Sequence, residues 1–214
     1  MGIQIWGAFG GFQRKTGALV GRWINGQNVI SAVPHPSQEP PSTAQLNQRA
    51  KFRLLVLFQS WISPIIRVGF QNSHEEKQSA FNAAFRYNYR YAITGTAPNF
   101  VIDYPNFVYS KGRLSGAYNA EVETTVVAEL KFNWAASLGT GIGGPTDMAT
   151  VVVYNPLKDV FATMANAAPR SALTYTLLLP GDFSGDTVQC YISFVSADGK
   201  LASDSLFVAA TEVL

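Results

Sequence analysis

The sequence has few of the residues that build disulfides, metal sites or catalytic centres. Its single cysteine, Cys190, excludes an intrachain disulfide, and the apolar alternation around it predicts a buried strand position. The two histidines, His35 and His74, are far apart, and no Cys-x-x-Cys or His-x-x-His spacing supports a zinc site. No Gly-x-Ser-x-Gly elbow and no acid–base pair stands out. We therefore expect a protein that is not an enzyme and uses no cofactor or metal.

One loop holds carboxylates beside glycines. Asp182 and Asp186 lie next to Gly181 and Gly185, a composition that suits calcium but also suits tight turns. The twelve-residue ligand pattern of a calcium loop is missing, so turn formation is the better interpretation.

Charged residues are also scarce, at 14% of the chain against a usual ~25%. They are unevenly divided, since residues 1–115 carry a net charge of +8 and residues 116–214 carry −6. Such asymmetry is typical of contact between a basic half and nucleic acid. It is equally typical of one half docking on the other, or on the opposite half of the next copy, and head-to-tail contacts build rings or filaments.

Targeting signals are lacking as well. The first eleven residues contain no basic segment followed by a long apolar run, so the sequence predicts no secretory signal. The most apolar stretch, between Arg53 and Arg67, is about thirteen residues long and contains Pro64, against the ~20 residues of a membrane helix. We expect synthesis in the cytoplasm and no membrane span. A virion or an extracellular assembly is among the final locations that this leaves open.

Residues 1–35 are rich in glycine and aromatic residues, and we call them the arm. Asn25-Gly26 predicts a β-hairpin between Ala18 and Val33, because both residues tolerate the positive φ of a type I′ turn. A hairpin alone is marginally stable, so it must pack on the helices, join the later sheet or pair with another subunit. We expect the arm to contact a neighbouring copy by strand addition. The expected anchors are Trp6, Phe9, Phe12 and Trp23.

Residues 36–96 read as a helical segment. Ser42 and Gln45 form a capping-box pair before an apolar run to Ile62, whose second half is apolar nearly all round and therefore predicts a buried helix. Ser63 and Pro64 predict the cap and first turn of a short helix that ends near Gly69.

A third helix is predicted from a second capping box, Ser73 and Glu76, to a glycine cap at Gly95. Its apolar face is spaced by threes and fours, which favours packing on a neighbouring helix. Tyrosines outside that face are the basis of an alternative, in which this helix contacts a partner protein. The face comprises Phe81, Ala84, Phe85, Asn88 and Ala92, and the tyrosines are Tyr87, Tyr89 and Tyr91.

In residues 97–214, apolar residues alternate with a period of two and turn residues recur at regular intervals. This pattern predicts an antiparallel β-sandwich of immunoglobulin or fibronectin type III style. Trp134 is expected in its core. The predicted strands are Phe100–Asp103, Asn106–Ser110, Glu121–Trp134, Ala149–Tyr154, Asp159–Met164, Leu173–Leu179, Thr187–Val195 and Ser205–Ala210. The fold class is therefore α+β.

Basic residues interleaved with tyrosines suit binding of single-stranded nucleic acid. The candidate contacts are Arg14, Lys15, Arg49, Arg53, Arg86 and Arg90. Arg49 and Arg53 are four apart on a helix, as are Arg86 and Arg90, and such pairs are also typical of a solvated face.

A string of motifs along nearly the whole chain resembles an uncharacterised family found in Bacteroidota. The motifs include Gly10-Gly11-Phe12, Lys15-Thr16-Gly17, Gln48-Arg49-Ala50-Lys51-Phe52, Ala92-Ile93-Thr94-Gly95 and Val195-Ser196-Ala197-Asp198-Gly199-Lys200. The resemblance implies a bacterial or bacteriophage origin and supplies no catalytic residues.

Two functional hypotheses follow. The first is a non-enzymatic, self-assembling structural protein, a subunit of a phage virion or of a bacterial filament, which binds itself and other structural proteins. The alternative is a cytoplasmic binding module for a protein partner or for single-stranded nucleic acid through the basic half.

Overall fold

The computed structural model describes residues 2–3, 11–24, 26–35, 38–75, 78–136 and 141–214. The helices and strands in chain order are β1 (Gly2–Ile3), β2 (Arg14–Thr16), β3 (Leu19–Ile24), β4 (Gln27–Ala32), α1 (Thr43–Trp61), α2 (Ser63–Gly69), α3 (Ala80–Tyr91), β5 (Ile93–Thr96), β6 (Asn99–Ile102), β7 (Tyr118–Glu123), β8 (Glu129–Ala135), β9 (Met148–Asn155), β10 (Val160–Met164), β11 (Thr174–Leu178), β12 (Thr187–Val195) and β13 (Leu206–Glu212). The named strands pair antiparallel, so the predicted α+β class is confirmed.

The chain divides into two compact units, residues 1–43 and 44–214. The first unit is a four-stranded sheet in the order β1-β4-β3-β2. Its centre is the predicted hairpin, in which Ile24 pairs with Gln27 and Gly26 has a φ of +76°. The hairpin prediction is confirmed, because the turn needs the positive φ that glycine adopts without strain.

The second unit contains a β-sandwich. One sheet has the order β11-β8-β7 and the other β10-β9-β12-β13. In an immunoglobulin constant domain the fourth strand along the chain belongs to the sheet of the first two. Here the fourth strand of the sandwich, β10, pairs instead with the third, β9.

The core of the sandwich lies between the two sheets and follows the predicted alternation. Its largest contributions are Leu130, Phe132 and Trp134 from β8, Val151 and Val153 from β9, and Val188, Cys190, Ile192 and Phe194 from β12. Trp134 is buried, as predicted, and its indole N–H donates to the carbonyl of Arg170 at 2.8 Å.

The helices cover the other face of the four-stranded sheet. Leu55 and Phe58 of α1 lie in one buried cluster with Tyr154 of β9 and Tyr191 of β12. The ring of Phe58 meets that of Tyr154 edge-on, with centroids 4.8 Å apart. Helices and sandwich therefore share one unit, and the division predicted at residue 97 lies inside it.

The helix boundaries differ from the predictions in three places. The N-cap of α2 is Ile62, without a side-chain hydrogen bond, so the Ser63 cap is wrong, whereas Pro64 does lie in the first turn. The third helix begins at Ala80, not near Ser73, because Ser79 caps it by accepting from the amide of Asn82 at 3.2 Å. The hydroxyl of Ser73 donates instead to the carbonyl of Lys111, and Glu76 lies outside the described residues.

The end of α3 is also different. The C-cap is Ala92, and Gly95 lies within the β5–β6 hairpin with a φ of +90°. A Cβ at Gly95 would collide with the carbonyl oxygen of Asn99, so this glycine is required by the hairpin.

Two strand predictions are wrong. Glu121–Trp134 is two strands, β7 and β8, joined by a turn in which Ala128 has a φ of +58°. Asn106–Ser110 is not a strand, because its backbone is paired with side chains. The amide group of Asn88 both donates to and accepts from the backbone of Val108, at 2.7 and 2.9 Å.

Within the described residues, no single helix is long and apolar enough to cross a membrane; α1 and α2 pass that test only as a pair, bent by 87°.

Gln59 is an exception to the apolar contact between α1 and the rest of its unit. Its side chain is fully buried, and neither its amide nitrogen nor its amide oxygen has a hydrogen-bond partner in the described part of the chain. A buried amide without partners lowers stability, because the free energy of dehydration is not recovered.

We expect Gln59→Leu to raise the free energy of unfolding by about 1 kcal/mol, which corresponds to roughly 2–4 °C in Tm for a chain of this size. The matched control is Gln48→Leu in the same helix, where the side-chain oxygen accepts from the hydroxyl of Tyr89 at 2.6 Å and the residue is exposed. Thermal denaturation followed by circular dichroism measures both. A lower Tm for Gln59→Leu would contradict the assignment of an unpaired amide.

Candidate interaction surfaces

The side of α1 that faces away from the sheet carries exposed apolar residues. Leu46, Leu57 and Trp61 are 50%, 54% and 67% exposed, and Arg49 and Arg53 lie exposed among them. We call these five residues the α1 outer face. Their spacings of three and four place them on one side of the helix. The prediction of a helix buried all round is therefore wrong for this side.

The sequence signal for the α1 outer face was present but ambiguous. Helix α1 contains Arg49, Lys51 and Arg53 and no acidic residue. Arginines among leucines at helical spacing indicate either a solvated face or a docking face. Only the burial of the opposite side, at Leu55 and Phe58, shows which side is left open.

Helix α3 contacts α1 and adds further basic residues. The rings of Phe52 and Phe85 lie 5.0 Å apart between the two helices. Arg86 and Arg90 are both exposed. Arg86 forms an exposed ion pair with Glu75 at 2.8 Å, and the guanidinium of Arg90 lies 5.6 Å from the ring centre of Tyr91. The predicted arginine pairs on α1 and α3 are thus solvent-facing.

The opposite side of the second unit carries two glutamates of β7, and Lys131 of β8 lies opposite Glu123 on the same face. On β7, Ala120 and Val122 pack into the sandwich core, so Glu121 and Glu123 point outward, where both are exposed. The β7–β8 turn and the end of β11 add exposed apolar residues at one end of this sheet. We call the five residues Glu121, Glu123, Val126, Val127 and Leu178 the acidic sheet face; the last three are 51%, 68% and 71% exposed.

The layering of the second unit separates these two surfaces. The helices cover the four-stranded sheet, and the three-stranded sheet covers its other side. The α1 outer face and the acidic sheet face therefore point in opposite directions.

The first unit holds the other predicted contact residues. Phe12 is half-buried and accepts at its carbonyl from the amide of Asn28 at 2.8 Å, whereas Trp23 is 52% exposed. Arg14 and Lys15 are exposed on β2. The remaining anchors, Trp6 and Phe9, lie outside the described residues.

A groove of about 600 Å³ runs along α2 beside the sandwich. Pro64, Ile65, Val68, Met148 and Val195 give it an apolar wall. Its one titratable lining residue among those described is Tyr109, whose hydroxyl donates to the carbonyl of Thr150 at 3.0 Å. Burial raises the pKa of Tyr109 far above its usual value. The groove can bind an apolar segment, but these groups offer nothing that ionises near neutral pH.

The buried ion pair between Arg170 and Asp147 is a structural cluster that the sequence did not reveal. The two residues are 5% and 4% exposed, and Arg170 Nε lies 3.2 Å from Asp147 Oδ2. The same guanidinium donates to the carbonyls of Ser115 and Gly116 at 2.7 and 3.0 Å and stacks 3.8 Å from the ring centre of Phe194. Burial lowers the pKa of Arg170, partly offset by Asp147. Because the donors are occupied within the fold, this cluster joins loops rather than forming a site.

A second ion pair occupies the loop considered for calcium. Asp186 accepts from the ammonium of Lys158 and from the amide of Asn155, and Lys158 also donates to the carbonyl of Asp182 at 2.6 Å. A cationic side chain thus already neutralises the carboxylate. Lys158 first, and Asn155 second, hold the pKa of Asp186 below its usual range.

This depressed pKa makes a contribution to stability that depends on pH. It is fully present above the unfolded-state pKa of about 4 and is lost as pH falls through the lower folded-state pKa. We expect Lys158→Met to lower the Tm at pH 6 to 7, and the deficit to narrow below pH 4.

The matched control is Lys200→Met, because Lys200 pairs with Asp198 in an exposed ion pair and the Asp198 pKa is lowered mainly by the Ser196 hydroxyl. We expect a small Tm change at every pH for this control. A deficit for Lys158→Met that is independent of pH would contradict the linkage.

Comparison with known proteins identifies a family and a distant structural likeness. No protein with a curated description matches the chain significantly. A solution structure of the fn3 domain of human collagen alpha-1(XX) chain is similar, with 18% identity and a TM-score of 0.34, over 49% of this chain and 88% of that one. The profile of the family of unknown function DUF6266 matches residues 11–209. The expected resemblance to an uncharacterised family is therefore confirmed, and this chain belongs to the DUF6266 family.

Proposed function

We propose that this protein is a non-enzymatic, self-assembling structural protein, a subunit of a phage virion or of a bacterial filament. The observation that carries the proposal is the exposure of the described residues of the first unit. Among its described residues, only Gly21 and Asn28 are buried. Leu19, Trp23 and Ile24 of β3 are all about half exposed. A sheet that buries so little apolar surface gains stability by packing against a partner.

The register of this sheet shows which residues face together. Leu19 pairs with Ala32, Gly21 with Ile30 and Trp23 with Asn28, so Leu19, Trp23 and Ile30 share a face. A Cβ at Gly21 would collide with the backbone of Phe12, so residue 12 lies directly against β3. Residues 11 and 12 already lie against the centre of this face, at Gly21 and Asn28, so its exposed ends and the short, exposed edge strand β2 are the parts suited to contact between copies.

The second unit supports the same function. Its basic and acidic surfaces point in opposite directions, so the two surfaces of one copy cannot contact each other. Complementary surfaces on opposite sides favour heterologous contacts, which propagate into rings or filaments. A subunit of a ring or filament uses surfaces of this kind.

We expect deletion of residues 1–17, which removes β1 and β2, to abolish assembly while unit 44–214 stays folded. We also expect Trp23→Ser to reduce assembly at least tenfold, because it removes the largest exposed ring among the described residues of the first unit. Sedimentation velocity measures assembly, and circular dichroism measures folding.

The matched control is Leu157→Ser, which alters a residue that is 79% exposed in the turn between β9 and β10. We expect assembly of this variant to equal that of the unaltered chain. Normal assembly of the truncated chain would overturn the proposal.

The second candidate function is a cytoplasmic binding module for a protein partner or single-stranded nucleic acid. The exposed arginines on α1 and α3 favour it, since Arg49, Arg53 and Arg90 lie close to the exposed aromatic residues Phe52 and Tyr91. Basic residues with stacking rings bind single strands without sequence preference.

Under this alternative, we expect a labelled oligothymidylate to bind at 50 mM salt and its affinity to fall steeply at 200 mM, because phosphate contacts release counterions. The double variant Arg49→Ala/Arg53→Ala should then flatten the salt dependence. Fluorescence anisotropy measures both. Absence of binding at 50 mM salt would remove this candidate.

A further inference from the structure

We infer that the α1 outer face of one copy docks on the acidic sheet face of the next copy. This inference rests on the proposed self-assembly and specifies one of its contacts. It adds a contact between second units to the contact made by the arm.

The α1 outer face has the composition of a docking surface. Its exposed Leu57 and Trp61 lie one helical turn apart, and tryptophan and arginine are the residues that most often dominate the energy of interfaces. Arg49 and Arg53 lie on the two preceding turns. Along the helix, Leu46 comes first, and two positive charges and then two large apolar side chains follow it.

The acidic sheet face repeats the last part of this order with opposite charge. Glu121 and Glu123 come first along β7, and the exposed Val126 and Val127 follow in the turn. Leu178 lies at the same end of the sheet, because it pairs with Glu129 at the start of β8. A helix that runs in the direction of β7 would place arginines on glutamates and apolar side chains on apolar side chains.

The spacings also agree. Four residues of an α-helix rise about 6 Å, which is the separation of Arg49 and Arg53 along α1. Two residues of a strand rise about 7 Å, which is the separation of Glu121 and Glu123 along β7. Each guanidinium can therefore face its own carboxylate without distortion of either element.

The occupant that fits best is a second copy of this chain, since the arginines of one surface match the glutamates of the other, although Lys131 lies beside Glu123. Because the two faces point in opposite directions, docking leaves one face free at each end of the assembly. The contact is heterologous, so it propagates instead of closing as a twofold dimer.

A charge exchange tests the pairing directly. The helix variant is Arg49→Glu/Arg53→Glu, and the sheet variant is Glu121→Lys/Glu123→Lys, both in the full chain. Alone, each variant presents like charges on both faces. Mixed, the reversed helix meets the reversed sheet, and the unaltered helix meets the unaltered sheet.

We expect each variant alone to weaken assembly at least tenfold in sedimentation velocity, and the equimolar mixture to restore it. The control for net charge is Arg67→Glu/Arg113→Glu, which alters two exposed arginines outside both faces and should assemble normally. Circular dichroism checks the fold of every variant.

Cross-linking tests the geometry independently. The one native cysteine is buried, and burial raises the pKa of Cys190 to about 12, so it does not compete for a maleimide reagent. We expect Leu57→Cys mixed with Leu178→Cys to give a bis-maleimide-linked dimer. Leu57→Cys mixed with the equally exposed Leu157→Cys should give none.

The outcomes separate this inference from the proposed function. Normal assembly of both charge variants would overturn the inference and leave self-assembly through the arm intact. Loss of oligothymidylate binding by the helix variant, with assembly unchanged, would assign the α1 outer face to nucleic acid and also overturn it. A chain that is monomeric without any substitution would overturn both.

Discussion

The burial of both faces of one sheet is the constraint on which the second unit depends. Strands β9 and β12 send alternate residues into the sandwich core and the remaining residues toward the helices. Tyr154 and Tyr191 therefore need a cover that a two-sheet sandwich does not provide. Phe58 of helix α1 covers the ring of Tyr154. The ring of Tyr191 packs on Phe107, Tyr109 and Phe207, and its hydroxyl donates to the carbonyl of Tyr104 at 2.9 Å. Without the helices this sheet would expose a large aromatic surface.

This cover explains why the functional surfaces are where they are. Once α1 uses one side to cover the sheet, its other side faces outward, and the three-stranded sheet is left as the opposite surface. The buried ion pair of Arg170 and Asp147 holds the loops of the sandwich and does not contribute to either surface. Exposed charged residues lie on both sides, with Arg49 and Arg53 on α1 and with Glu121 and Glu123 on β7.

Sequence motifs of a few residues predicted much of the fold, and features that depend on partners far away in the sequence were missed. Asn25-Gly26, Pro64 and the alternation around Cys190 specify structure within a few residues, so the hairpin, the short helix and the core strand were predicted correctly. The segment Asn106–Ser110 was predicted as a strand from its sequence. It is not one, because its backbone pairs with a side chain elsewhere in the chain, that of Asn88. The α1 outer face was missed because hydrophobicity alone does not tell which side of an apolar helix finds a partner. Trp23 is half exposed on β3, and its role as a contact between copies stays a prediction.

The central claim is that copies of this chain bind one another. The most direct test is the mass of the full chain in solution by light scattering, over a hundredfold range of concentration and at low and high salt, with negative-stain images of the same samples. The account predicts masses well above the 23.2 kDa of one chain that rise with concentration and fall with salt, together with rings, shells or filaments. A mass of one chain at every concentration and salt would contradict it.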